Sequence, residues 1–277
     1  NSIAVLPFEN ASGDEDDAYL SEGLGDELRD QLGRVAALRI AARSSSMAAA
    51  ARGLDALGAS EQLKVAHVVE GSVRRQRNRL RVSVQLIDGQ SGLSVWSDTF
   101  DRDTDELLSV QQTIAETILR QLLPDTHSIA TEPATRNADA NELMLLAQHY
   151  ENQVRARAIR DDETLLKAIE LYQQATEADP ESALPWSRLA RARLYLGDIA
   201  GAEAPIFKAM TLDPNLSEVQ NTLGEFYWAR GLPGDLEAYE RAIELNPYNA
   251  DALHNYAHRT WLSVEAHHAG ESNPGPL

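Results

Sequence analysis

Cysteine is missing altogether from the 277 residues, which removes disulfides, thiolate metal sites and cysteine nucleophiles from the chemistry open to the chain. Aromatic residues are sparse, at 6%, and no apolar run approaches the roughly 18 residues needed to span a bilayer, so no membrane insertion is expected of this stretch. Positive charge is in short supply, with 25 Lys and Arg against 43 Asp and Glu and a formal charge of −18. A field of that sign repels phosphates and anionic lipid, so any anion site must be local. There is no Gly-x-Ser-x-Gly elbow, phosphate loop or dinucleotide fingerprint either. No catalytic residue, cofactor or metal is therefore expected. Methionine does not open the chain; a strand-like pattern does, which leads to the expectation of a processed chain or a fragment whose leader or anchor would precede Asn1.

What is present is enough for two domains at about 100 to 200 residues each. "SIAVLPFEN" reads as a buried strand that runs into the turn-rich "NASGDEDD". Leu20, Leu24, Leu28 and Leu32 then recur four apart and predict a helix over 17–35, with Asp16 or Asp17 as its cap. "LRIAAR" reads as a second strand, and the alanine-rich stretch 45–63 as a helix interrupted at Gly53 and Gly58. In "VEGSVRRQRNRLRVSVQLID", Leu80, Val82, Val84 and Leu86 alternate with Arg79, Arg81, Ser83 and Gln85, the mark of a strand with one wet face. Its partner strand lies before a turn near 76–78, and "LSVWSDTF" supplies a third strand. A helix over 101–123 completes the order β-α-β-α-β-β-β-α, a mixed sheet covered by helices.

"YLSEGLGDEL", "LRIAARSS", "VVEGSVRR", "RLRVSVQLID" and "WSDTFDR", taken in order with the opening strand, resemble the TolB amino-terminal-like domain. The resemblance covers residues 1–123. It implies an α/β fold like that of anticodon-binding domains, a five-stranded mixed sheet with one strand antiparallel to the rest. Arg77 stands in the hairpin turn where that family usually has glycine; if the turn needs a positive φ, Asn78 is the expected carrier.

Residues 124–140 are polar and aperiodic and read as a linker. Beyond them Pro180, Pro214 and Pro247 recur at intervals of 34 and 33 residues, the period of stacked helix pairs. The stretch resembles tetratricopeptide (TPR) repeats: Trp186, Leu189, Ala202, Ile206 and Pro214 occupy that family's positions in one repeat, and Leu223, Gly224, Tyr227, Tyr239 and Pro247 in the next. Ala168, Tyr172 and Pro180 do so in the repeat before. The expected solenoid is all-α over 141–262, about three repeats and a partial fourth, with an irregular tail over 263–277. Pro205, inside the second helix of the middle repeat, predicts a late start or a kink.

The five arginines at 74, 75, 77, 79 and 81 suggest a phosphate-gripping ribbon, but no stacking aromatics accompany them and acidic residues are at hand, so a solvated hairpin face is the expectation, without direct nucleic acid contact. Asn10, Ser12, Asp14 and Asp16 alternate like a calcium loop, yet Glu15 stands where glycine is required and Ser21 where the closing glutamate belongs. His254 and His258 share a helix face, but "HNYAH" lacks the glutamate of a helical zinc protease, and surface histidines are the expectation.

The repeat geometry implies that first helices line a concave surface, with Ser187, Arg191, Glu218, Asn221, Glu225, Trp228 and His254 facing it. A protein or peptide ligand is the expected partner, with self-association left open. The domain pairing resembles the carboxy-terminal part of CadC-like winged-helix regulators and of proteins carrying a class III adenylate cyclase. It implies a non-enzymatic interaction or sensory module, periplasmic in a membrane-anchored regulator or else cytoplasmic. The alternative is a small-ligand or nucleotide-binding regulatory domain attached to a cyclase, with a pocket near Asn10 and Ser12.

Overall fold

The computed structural model describes residues 1–35, 37–124, 135, 137–157 and 161–271, the side chains at 156–157 and beyond 262 excepted. The first half opens with β1 (Ser2–Val5), buried along its whole length, as expected for a strand covered on both faces. Pro7, which has no N–H, falls in the gap before the short β2 (Glu9–Asn10). Asp14, rather than Asp16 or Asp17, does the capping: its Oδ1 accepts from the Asp16 N–H at 3.1 Å and starts a 3₁₀ turn that runs into α1 (Ala18–Gly33). Leu20, Leu24, Leu28 and Leu32 of α1 are all buried. After β3 (Arg39–Ile40), the alanine-rich stretch divides into α2 (Arg43–Ala51) and α3 (Ala56–Leu63) around Gly53, whose φ is +70°.

The meander follows as β4 (His67–Gln76), β5 (Arg79–Asp88) and β6 (Ser94–Asp103), then α4 (Leu107–Leu122). The strand order is β3-β1-β4-β5-β6. β1 runs parallel to β3 and β4, while β5 is antiparallel to β4 and β6, so one strand opposes the rest. The sheet has six strands because two-residue β2 also pairs with β4. One face packs on α1 and α4, where Val69, Val82, Val84 and Leu86 meet Leu24, Leu28, Ile114 and Ile118. The other carries a smaller core of Val68 and Ile87 with Ala49, Ala56 and Ala59 from α2 and α3. Arg77 itself takes the positive φ of the hairpin turn, at 54°, and Asn78 does not. A single left-handed residue at the first loop position suits a two-residue turn of type II′. Asn78 is engaged elsewhere, its carbonyl accepting from the Thr104 N–H and its Oδ1 from the Thr104 hydroxyl.

Three of the five arginines of the ribbon are paired. Arg79 and Arg81 reach Asp101 on β6 at 2.8 and 2.7 Å, and Arg75 donates to the Tyr19 hydroxyl at 3.0 Å.

The second half is a stack of helix pairs: α5 (Ala138–Arg157) with α6 (Asp162–Ala178), α7 (Ala183–Leu196) with α8 (Ile199–Leu212), α9 (Ser217–Arg230) with α10 (Asp235–Leu245), then α11 (Ala250–Glu271). α8 neither starts late nor breaks: Pro205 sits inside it, buried, and simply leaves the Gly201 carbonyl without its usual donor. α5 begins inside the expected linker, at Ala138, and α11 continues nine residues past the expected end at 262, through "SVEAHHAGE", whose composition sustains a helix; the rest of the expected tail lies outside the described residues. Asp235 opens α10 and is paired with Arg259 of α11.

The halves are docked through α1 and α5. Leu145 of α5 belongs to the sheet domain's own core. It fits because Gly23 has no side chain: a Cβ there would stand 2.5 Å from Leu145 Cδ2. Tyr19 donates to Glu142 Oε1 at 2.6 Å, and His149 Nδ1 lies 2.9 Å from Glu22 Oε2.

Candidate functional site

The first helices of the pairs, α5, α7, α9 and α11, line a concavity of about 620 Å³. Helix stacking fixes which residues reach it, since each first helix turns one face to its neighbours and another to the hollow. Glu225, Trp228 and His254 line this groove, as do Tyr195, Asp251 and Asn255. Trp228 is 46% exposed, with its ring edge-on to His258 at 5.7 Å. His254 and His258 stack parallel, centroids 6.3 Å apart. Among the described residues no group of three or more His, Asp or Glu is placed to hold a metal ion.

Of the other residues expected in the groove, Arg191, Glu218 and Asn221 line an adjoining cleft between the two halves. Ser187 reaches neither. At 1% exposure it is buried where α7 crosses α9, its hydroxyl facing the Glu218 carbonyl at 3.2 Å and Thr222 Oγ1 at 3.1 Å. A small hydroxyl lets the two helices approach, and that contact takes it out of the concave surface.

Beneath the groove lies a charged network. Arg191 reaches Glu151 Oε1 at 2.9 Å and Asp251 Oδ2 at 3.3 Å. Tyr172 donates to Glu151 Oε2 at 2.9 Å, and Arg155 pairs with Asp251 at 3.0 Å. Both guanidiniums lie over the Tyr195 ring, 5.8 to 5.9 Å from its centroid, within the range of cation–π attraction. Burial pushes the Glu151 carboxyl up, but Arg191, then Arg188 and Arg155, outweigh it and hold the group below its ordinary value. Glu225 is different. Its Oε1 accepts from Asn255 at 2.8 Å and Asn221 at 3.2 Å, while Oε2, buried, has no hydrogen-bond partner among the described residues. Burial raises Glu225 to about 7, against the pull of Arg191.

Sequence reasoning did not single out Glu151, Arg155, Tyr195 or Asp251. α5 carries none of the Trp, Gly or Pro landmarks that placed the other helices, so its inward face had no register to be read from. The arginine-rich run "RLARARLYL" on α7 was the available signal, since a buried helix face with Arg188 and Arg191 demands acids opposite it.

Asn10 and Ser12, the alternative pocket, are committed to their loop: Asn10 Oδ1 accepts from the Ser12 N–H at 3.0 Å, and Ser12 Oγ from the Arg75 N–H at 2.9 Å.

Residues 1–117 match the family model described as the second domain of HilA/YgeH-like transcriptional regulators. Over 121 residues the chain is 40% identical to "Putative adenylate cyclase 3" of Rhizobium meliloti (strain 1021), a match covering 44% of this chain and 21% of that protein. The chain thus spans about a fifth of the length of that relative. Two solved structures show remote likenesses. The Sgt2 TPR domain from Aspergillus fumigatus is 24% identical, TM-score 0.41, over 52% of this chain and 91% of that one. TolB from Acinetobacter baumannii is 17% identical, TM-score 0.35, over 44% of this chain and 28% of that one. In fold the chain is an α/β domain built on a mixed sheet followed by stacked helix pairs, as the motifs led one to expect. No described helix is long and apolar enough to cross a membrane.

Proposed function

We propose that the chain is a non-enzymatic interaction and sensory module of a bacterial signalling or transcription-regulatory protein, and that it holds a peptide or partner segment in the groove of its helix pairs. The observation that carries this reading is the groove itself: about 620 Å³, with Trp228 and Tyr195 exposed in its wall. Large aromatics left open in a concave, polar-rimmed surface are the usual anchors of a binding interface. The regulator family matched by residues 1–117 supports a signalling context. A periplasmic setting, in which occupancy of the groove is passed to a cytoplasmic output, rests on the resemblance to CadC-like regulators.

The test is a displayed library of random peptides selected on the intact chain, with selected peptides titrated against tryptophan fluorescence. Trp228→Ala should weaken them at least tenfold, whereas Trp261→Ala, outside the groove, should leave them unchanged. A library that yields nothing, or peptides indifferent to Trp228, would sink the reading.

The likeness to a protein named as an adenylate cyclase favours a second reading, a small-ligand or nucleotide-binding regulatory domain attached to a cyclase. Saturable nucleotide binding by the isolated chain would favour it over the groove.

A further inference from the structure

We propose that the groove of the helix pairs takes a cationic occupant, a partner segment whose lysine or arginine side chain lies over the indole of Trp228 beside the carboxylate of Glu225. The inference rests on the peptide reading of the groove and adds the chemistry of what the groove accepts.

The charges around the groove do not cancel. Three carboxylates, Glu151, Asp251 and Glu225, stand in its wall with the guanidinium of Arg155. Arg191, beneath them, pairs with Glu151 and Asp251, and Arg155 pairs with Asp251 as well. Two cations thus answer two of the three acids. Glu225 makes no ion pair among the described residues, and its hydrogen bonds come from the neutral amides of Asn255 and Asn221. Asn255 also donates to Asn221 Oδ1 at 3.0 Å, so the amides fix the carboxylate's direction without cancelling its charge. A half-buried carboxylate of this kind attracts a cation more strongly than one in open water.

The same groove already holds cations in one place. The Tyr195 ring carries Arg155 and Arg191, 5.8 and 5.9 Å from its centroid, and both guanidiniums are paired with Asp251, so that each cation has an aromatic ring and a carboxylate as neighbours. Trp228, on the next first helix, offers the same two features. Its ring is 46% exposed, touches His258 edge-on and bears no cation among the described residues. Glu225 lies one turn before it, and side chains three apart on a helix are neighbours, their Cβ atoms about 5–6 Å apart. A charged head over the indole therefore comes within reach of the carboxylate. Towards α5 and α7 the wall turns apolar, with half-buried Val154 and Leu194 to take an apolar side chain next to the basic one. The long-range field agrees, because a chain of charge −18 draws cations and repels a second copy of itself.

The test uses peptides selected on the intact chain from a displayed random library. Lysine and arginine should be enriched at least threefold over the unselected library. In the tightest peptide the basic residue is then replaced by norleucine, which keeps an apolar stem and removes the charge. Titrated by tryptophan fluorescence at pH 8, above the value of about 7 to which burial raises Glu225, the replacement should cost at least tenfold in affinity for the parent chain and less than twofold for Glu225→Gln. Glu237→Gln, the same charge change at an exposed position of α10 outside the groove, should behave like the parent, which separates recognition in the groove from general attraction to an acidic protein. Selected peptides without basic enrichment overturn the cationic occupant and leave the peptide reading standing. So does a norleucine penalty that is below tenfold in the parent, undiminished in Glu225→Gln or equally diminished in Glu237→Gln. A library that yields no peptides overturns both.

Discussion

Glu225 ties folding to pH. Its folded pKa of about 7 lies above the ordinary 4.5 because burial disfavours the charged form. Between those two values the native state holds more protons than the unfolded chain, so this group's contribution makes stability fall as pH rises from about 4.5 through 7. Glu225→Gln should remove that slope: thermal melts of the variant and the parent should coincide near pH 4.5, and the variant should melt higher at pH 7.5. Glu151 is the opposite case, a buried carboxylate ion-paired with Arg191 and hydrogen-bonded by Tyr172. Glu151→Ala leaves Arg191 without its buried partner and should cost about 3–5 kcal/mol in denaturant unfolding. These two roles were not equally legible. Glu225 lies on a helix whose Gly224 and Tyr227 fix the register, so its inward direction could be inferred from spacing. Glu151 lies on α5, where no such landmark exists, and only the fold brings it under Arg191.

Among the helices and strands, periodicity was the most dependable guide. The four leucines of α1 and the alternation of β5 each assigned both the type of element and its buried face. Leu28, fully buried among them, should therefore cost about 3 kcal/mol when changed to Ala. What periodicity does not reveal is how an exception is absorbed. Pro205 is accommodated inside α8, and Arg77 takes the left-handed conformation because two strands of ten residues fix the turn between them. Gly224 shows the converse, a position that spacing found and packing explains. A Cβ there would come within 2.6 Å of the buried Tyr239 ring, which has no room to retreat. Gly224→Ala should thus destabilise the chain by about 1–3 kcal/mol and separate α9 from α10, measurable as a lower melting temperature with unchanged helical circular dichroism at low temperature.

The two halves do not hang together by a linker alone. Leu145, from the first helix of the solenoid, completes the core of the sheet domain opposite Gly23. The intact chain should accordingly unfold in one calorimetric transition, and Leu145→Asp, which buries an unpaired charge at the junction, should split it into two. This docking was illegible beforehand because the residues that meet are more than 120 positions apart and each looks like an ordinary helix residue; the domain order could be read, the embrace could not. The sheet also has a mechanical side. β1 lies in its interior, bonded to parallel neighbours on both flanks, and the Asn1 side chain donates to the Leu122 carbonyl at 2.6 Å. A pull on the amino end would stretch several of these bonds together, in shear, instead of peeling them off one at a time, so tension arriving there would be transmitted into the body of the domain before the strand slipped free.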